Sequence, residues 1–252
     1  MDNLFSVKDS VILITGGGRG IGEKFACEFA KRGAIVYAFD KIFSKNYLTE
    51  NNQIKKISCN LLDTKKFTNS CNIIFNKHKK IDVLINNVGI TFPSKEKFYS
   101  QKKWNETINV NLTTAFSCSQ VVIKNMIKKN KGSIINITSI NAELGFPSNP
   151  AYVASKGGLK QLGKALARDW GKFGIRVNNL GPGYIITDMT KKSYSVKKTR
   201  KLRENQTMLK RWGTVDDLVG PCLFLASDAS SYVTGQDIYV DGGWISNGLP
   251  DL

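Results

Sequence analysis

Short, uninterrupted apolar runs alternate with longer stretches of helical periodicity along the whole chain. The first run, residues 11–14 (Val-Ile-Leu-Ile), is closed by glycines. Residues 21–32 follow with apolar positions at Ile21, Phe25, Phe29 and Ala30, the spacing of one helix face. Further strands are predicted over residues 34–39, from 57–59, and over 81–85, 133–138, 175–180 and 237–240. Helices are predicted over 104–127, 151–173 and 215–226. Residues 187–214 show no strong periodicity and are rich in Lys, Arg and Ser.

Strands separated by helices of 10–20 residues make β-α-β units and a parallel sheet. The strands are apolar on both sides of their alternation, as expected when helices cover both faces. The predicted fold class is α/β, a single-domain Rossmann-type doubly wound parallel sheet with helices on both faces. No linker, repeat or low-complexity stretch divides residues 1–252, so one domain is expected, with 187–214 as a lid over the substrate.

Composition removes several alternatives. No run of 18 apolar residues occurs, and residues 1–8 lack a basic-then-apolar leader, so a cytoplasmic protein is expected. The five cysteines, Cys27, Cys59, Cys71, Cys118 and Cys222, have no C-x-x-C pair, which disfavours a disulfide framework or a zinc site. Cys27, Cys118 and Cys222 fall in apolar helical patterns and are expected to be buried small hydrophobes. The only histidine, His78, lies in a Lys-rich run and is expected in a solvated loop, which disfavours histidine-dependent hydrolysis. The formal net charge of +17 would suit an acidic partner, but the lysines are mostly scattered. No basic-aromatic interleaving of a nucleic-acid-binding module is present.

Thr15-Gly16-Gly17-Gly18-Arg19-Gly20-Ile21-Gly22 joins the first strand to the first helix. Glycines there let the backbone approach a pyrophosphate, and the helix N-terminus offers it free N–H groups. Asp40 ends the second strand, where a carboxylate accepts from adenosine ribose hydroxyls and repels a 2′-phosphate. Asn86-Asn87-Val88-Gly89 closes the fourth strand, at the ligand side of such a sheet. Tyr152 and Lys156 are four apart on a helix and share a face. A nearby cation favours the phenolate, which is expected to lower the Tyr152 pKa and make the pair an acid–base couple. Ser139, at the end of the preceding strand, is placed to hydrogen-bond the reacting oxygen.

These motifs, together with Asn111, Gly181-Pro182-Gly183, Thr187, Thr234-Gly235-Gln236 and Val240-Asp241-Gly242-Gly243, resemble the short-chain dehydrogenase/reductase family over essentially the whole chain. The resemblance implies an NAD(P)-dependent oxidoreductase with a tetrad of Asn111, Ser139, Tyr152 and Lys156 and no metal. Tyr152 would exchange the proton and Ser139 would orient the substrate oxygen. Lys156 would hold the nicotinamide ribose, and Asn111 would anchor a relay water. Cofactor contacts are implied at Gly16, Gly18, Arg19, Gly20, Ile21, Asp40, Asn60, Leu61, Asn87, Gly89, Tyr152, Lys156, Pro182, Gly183, Ile185 and Thr187. Substrate contacts are implied at Ser139, Asn141, Glu143 and Tyr152. A homotetramer is also implied.

Two positions depart from the family pattern: Val88 replaces an alanine, and Asn60 stands where an adenine-facing aspartate is common. The segment 139–145, Arg211-Trp212-Gly213 and the Trp244 ending resemble gluconate 5-dehydrogenases and related sugar-acid dehydrogenases. Those enzymes often carry arginine after Asn-Asn-x-Gly, where this chain has Ile90-Thr91-Phe92-Pro93. The expected substrate is a sugar, polyol or sugar acid, and Asp40 makes NAD the expected cofactor, with NADP second. The alternative is an NADPH-dependent 3-oxoacyl-thioester (acyl carrier protein) reductase. Within residues 187–211, nine basic residues face only Asp188 and Glu204. Lys191, Lys192, Lys197 and Lys198 are expected either to attract an anionic substrate or to be the solvated face of short lid helices.

Overall fold

The computed structural model describes residues 3–44 and 53–248. Its centre is a sheet of seven parallel strands: β1 (Val11–Thr15), β2 (Ile35–Asp40), β3 (Ile54–Ser58), β4 (Val83–Asn86), β5 (Gly132–Ile137), β6 (Ile175–Pro182) and β7 (Asp237–Val240). Their spatial order is β3-β2-β1-β4-β5-β6-β7. The chain runs outward from β1 to β3 and then returns past β1 to β4. That reversal opens a crevice beyond the carboxyl ends of β1 and β4.

The helices are α1 (Gly20–Lys31), α2 (Thr64–His78), α3 (Gln101–Ile108), α4 (Thr114–Ile127), α5 (Pro150–Trp170), α6 (Asp188–Ser195), α7 (Lys197–Gln206) and α8 (Val219–Ala226). Strand alternation supplies both faces of the sheet. Val11, Leu13, Tyr37 and Phe39 point into one core with α2, α4 and α5, around Phe67, Cys118, Met126 and Leu166. Ile12, Ile14, Val36 and Ala38 point into the other with α1 and α8, around Phe25, Phe29, Cys222 and Leu225. This two-sided burial is why the strands read as unbroken apolar runs.

The structure differs from the sequence expectation at five places, the first being β3, expected from residue 57 but spanning Ile54–Ser58, where the exposed Lys55 and Lys56 hid its start. Helix α2 has no counterpart in the prediction, although Phe67, Cys71 and Ile74 are helically spaced and buried and Asp63 caps it by accepting from the Lys65 N–H. His78 therefore ends a helix rather than sitting in a loop. It is half-buried, 2.8 Å from the Tyr37 hydroxyl, and burial pulls its pKa down. The single helix expected over 104–127 is interrupted by a π-helical turn, Asn109–Thr113. Residues 187–214, expected to be irregular, hold α6 and α7; neither buries a residue completely, and hence periodicity was weak. All five cysteines are buried and free. Among the described residues no helix is long and apolar enough to cross a membrane.

A file of buried amides crosses the sheet just below the crevice. Asn86, Asn136, Asn179 and Asp237 are successive register partners on β4 to β7. Asn86 Nδ2 donates to Asn136 Oδ1 at 3.0 Å, Asn136 Nδ2 to Asn179 Oδ1 at 3.0 Å, and Asn179 Nδ2 to Asp237 Oδ1 at 2.7 Å. Each amide donates to the acceptor on the next strand, so these strand ends are held at one level.

Candidate active site

The glycine loop is braced from β4. The Asn87 side chain donates to the Thr15 and Gly16 carbonyls at 3.2 and 2.8 Å, and its N–H donates to Thr15 Oγ1 at 3.0 Å. Gly16 has a φ of +64°, and a Cβ there would stand 2.8 Å from the Val88 Cα. A Cβ on Gly22 would lie 2.1 Å from the Gly16 carbonyl oxygen, so α1 is pressed directly onto the loop. Gly18 donates to Asp40 at 2.9 Å, and Ile42 donates to the other carboxylate oxygen at 3.3 Å. Asp40 thus sits at the end of β2 facing the loop, with lone pairs remaining for a ribose.

The crevice fits a dinucleotide by its own geometry. Arg19, the N-cap of α1, makes no side-chain cap, so the first-turn N–H groups are open to an anion. A Cβ on Gly20 would point into open space, its nearest neighbour the Thr187 methyl at 3.9 Å. Gly89 leaves a gap whose walls are Asn111 and Lys156, each 3.6 Å from where its Cβ would be. Other expected contacts are engaged locally. Asn60 Oδ1 accepts from the Leu62 N–H at 3.2 Å, and the Leu61 and Ile185 side chains lie in the core, which leaves only their backbone to face a ligand. Pro182 ends β6; Gly183 follows it and donates to Val240. Thr187 caps α6 in a reciprocal pair with Thr190.

The tetrad converges at the ends of β4 and β5. Lys156 is 3% exposed, and its Nζ donates to the Ile137 carbonyl at 2.7 Å. That contact fixes the ammonium 5.7 Å from the centre of the Tyr152 ring. The Ser139 hydroxyl faces Tyr152 and is oriented by Asn141, whose N–H donates to Ser139 Oγ at 3.2 Å and whose Oδ1 accepts from it at 3.1 Å. Burial pushes the Tyr152 phenol above its ordinary pKa, against the Ser139 hydrogen bond, and pulls Lys156 down to about 8. The direction is opposite to the lowering expected from Lys156: in the free protein desolvation dominates and favours the protonated phenol.

Asn111 lies in the π-helical turn, and both donors of its amide are engaged. It donates to Ile90 O and to Ser155 Oγ, both at 3.0 Å, and accepts from the Ile90 N–H at 2.8 Å. Its side chain is therefore a brace, and Oδ1 keeps one lone pair at the wall of the gap beside Gly89. Ser155 passes the brace on, donating to the Tyr152 carbonyl at 2.8 Å. Glu143 is engaged outside the tetrad. It accepts from Tyr239 Oη at 2.7 Å and pairs with Lys160, and these hydrogen bonds hold its pKa down.

Tyr184 was not anticipated. It follows β6 and packs against Trp212 and Trp244 with ring centres 5.3 and 4.8 Å away. No local motif marks it; only its position two residues beyond Pro182, before α6, could have pointed to it.

A dinucleotide crevice facing a buried Tyr–Lys couple defines an oxidoreductase acting on a CH–OH group with NAD(P). The chain belongs to the short-chain dehydrogenase/reductase family: a family model described as enoyl-(acyl carrier protein) reductase matches residues 16–245. It is 35% identical over 248 residues to gluconate 5-dehydrogenase of Gluconobacter oxydans, covering 96% of each chain. It is 36% identical over 247 residues to a 3-oxoacyl-[acyl-carrier-protein] reductase of Thermotoga maritima, covering 95% of this chain and 99% of that one. The crystal structure of a gluconate 5-dehydrogenase from Burkholderia cenocepacia in complex with NADP and tartrate matches with a TM-score of 0.91 and 32% identity, over 97% and 98% of the two chains.

Proposed function

We propose that this protein interconverts a secondary alcohol and a ketone on a sugar acid or related polyol, with NAD as the preferred cofactor and Tyr152 as the proton-transfer residue. The observation that carries the reading is the buried Tyr152–Lys156 couple, with Lys156 pinned by the Ile137 carbonyl beside the gap left by Gly89. The nicotinamide, when bound, accepts or supplies the hydride. Gly16, Gly18, Arg19, Gly20, Ile21 and Asp40 would hold the adenosine and pyrophosphate side, assisted by the backbone at Asn60 and Leu61. Asn87 and Gly89, with Pro182, Gly183, Ile185 and Thr187, would flank the nicotinamide side. Ser139, oriented by Asn141, orients the substrate oxygen, and Tyr152 gives it a proton in carbonyl reduction or takes one in alcohol oxidation. The protonated phenol of the free protein suits reduction directly, whereas oxidation needs the phenolate and so gains with rising pH.

The gluconate 5-dehydrogenase relatives support the sugar-acid reading. The reading of NAD rests on Asp40, whose carboxylate would oppose a 2′-phosphate, while the Burkholderia relative was solved with NADP. A thioester reductase is the second reading, supported by the Thermotoga relative and by a charge of +17 that suits an acidic carrier protein. We read the chain as one cytoplasmic domain, 1–252, with 187–214 as its lid, assembling as a homotetramer.

Tyr152→Phe tests the chemistry. It keeps the ring and removes the proton, so turnover should fall about 10²–10⁴-fold while cofactor binding stays nearly intact. Turnover equal to that of the unmodified enzyme would refute the role. A panel of D-gluconate, D-sorbitol and a 3-oxoacyl thioester separates the two substrate readings.

A further inference from the structure

We propose that Arg203, on α7, is the residue that recognises the carboxylate of the substrate, and that the lysines of the same segment do not. The inference deepens the sugar-acid reading and rests on it. The basic residues of the lid are not equivalent. Arg211 is matched by Asp217 through two bonds of 2.8 Å. Arg200 has Glu204 at 3.8 Å, and Lys210 donates to the Asn205 carbonyl at 3.1 Å. Lys191, Lys192, Lys197, Lys198 and Lys201 are exposed to solvent.

Arg200 and Arg203 are both half-buried, Arg200 at 5.3 Å from the centre of the Tyr194 ring, but of the two only Arg203 lacks an ion pair among the described residues. The Arg203 guanidinium lies 4.0 Å from the centre of the Tyr184 ring and 5.4 Å from that of Trp212. Its one polar contact is a hydrogen bond from Nη1 to Ser193 Oγ, and among the described residues no carboxylate faces it. A guanidinium stacked on rings keeps its edge donors, and the fork of an arginine matches a planar carboxylate with two parallel bonds. Removal from bulk water strengthens such a pair.

Placement ties this cation to the reaction. Arg203 stacks on Tyr184, which follows Gly183 at the carboxyl end of β6, beside the end of β5 where Ser139 stands. Set behind Tyr184 from the end of the sheet, Arg203 suits a substrate whose carboxylate is several carbons from the reacting carbinol. That describes a linear polyhydroxy acid oxidised away from its carboxyl end, and not a 2-hydroxy acid. It also supplies a cation for the acid although the segment after Gly89 carries none.

The test compares D-gluconate with D-sorbitol, a neutral polyol of the same chain length. In Arg203→Gln the ratio of kcat/KM for gluconate over sorbitol should fall about 10- to 100-fold, the scale of one or two charge-assisted hydrogen bonds. Arg203→Lys should recover only part of it, because a point charge does not replace the fork. Measured at 0.15 M salt or above, where exposed charges are largely screened, Lys197→Gln with Lys198→Gln should leave the ratio nearly intact. Trp212 and Trp244 border the site, so titration of the cofactor-bound enzyme with gluconate or tartrate, followed by tryptophan fluorescence, reads binding without turnover. Affinity should drop at least about tenfold in Arg203→Gln. An unchanged ratio in Arg203→Gln, or equal losses on both substrates, overturns the role of Arg203 and leaves the sugar-acid reading standing. An unmodified enzyme that reduces a 3-oxoacyl thioester and binds neither acid overturns both.

Discussion

Lys156 holds an ammonium at 3% exposure with one backbone carbonyl as its recorded hydrogen-bond partner, and burial lowers its pKa from 10.5 to about 8. The sign of the linkage follows. Between about pH 8 and 10.5 the unfolded chain binds this proton and the folded protein does not, so this residue makes stability rise with pH across that window. Below pH 8 both states are charged, and the buried ammonium costs about 3 kcal/mol at about 1.4 kcal/mol per unit. Lys156→Met should therefore abolish turnover and also remove a pH-dependent difference. Urea unfolding of both proteins at pH 7 and pH 9.5 should show the unmodified protein gaining stability relative to the variant. A constant difference would mean that Lys156 is not desolvated. The inference about Arg203 belongs to the same scale, since it concerns one cation drawn inward among many left in water.

At the scale of elements, the turn from β1 into α1 makes two glycines unequal. Gly22→Ala puts a methyl 2.1 Å from the Gly16 carbonyl, where no flexible side chain can yield. It should lower Tm by many degrees or prevent folding. Gly20→Ala meets only the Thr187 methyl at 3.9 Å, so its cost is the strain of a φ of +58°, about 1–2 kcal/mol. Its Tm should fall modestly, while its affinity for NADH should fall much further because the methyl enters the anion cradle. Similar Tm losses for both variants would contradict the close packing at Gly22. The end of β2 gives a second prediction. Asp40→Asn keeps an acceptor for the Gly18 N–H and removes the charge. The ratio of kcat/KM for NADP over NAD should then rise, and a preference for NADP in the unmodified enzyme would show that Asp40 does not exclude the 2′-phosphate.

For the whole molecule, the charge of +17 includes exposed lysines on α6 and α7, the helices that follow β6. Long-range attraction should show in the encounter rate and not in discrimination. The kcat/KM for an anionic substrate should fall between 0.01 and 0.15 M salt, as the Debye length shrinks from about 30 to about 8 Å. Replacing Lys191, Lys192, Lys197 and Lys198 by Gln should flatten that slope. A slope that survives the quadruple replacement would assign steering to other cations.

Much of this molecule was determined by the sequence itself. The two-sided apolar strands set the doubly wound sheet, because a strand buried on both faces must be apolar at every position. The glycine loop, Asp40 and the Tyr152–Lys156 spacing pointed to a candidate cofactor crevice and acid–base couple, because such functions need particular residue types at fixed local separations. Helix α2 was also legible, from Asp63 and the spacing of Phe67, Cys71 and Ile74. Tertiary structure alone decided what depends on neighbours distant in sequence. Desolvation, set by how β5 and α5 pack, raises the Tyr152 pKa although a cation stands beside it. The Asn111 amide is committed to Ile90 and Ser155, contacts 21 and 44 residues away. Asn86, Asn136, Asn179 and Asp237 form one file only because four strands bring them into register. Among the lysines and arginines of the lid, the sequence shows equal charges. Which one meets an aromatic wall instead of water is decided by the packing of α7 against Tyr184 and Trp212.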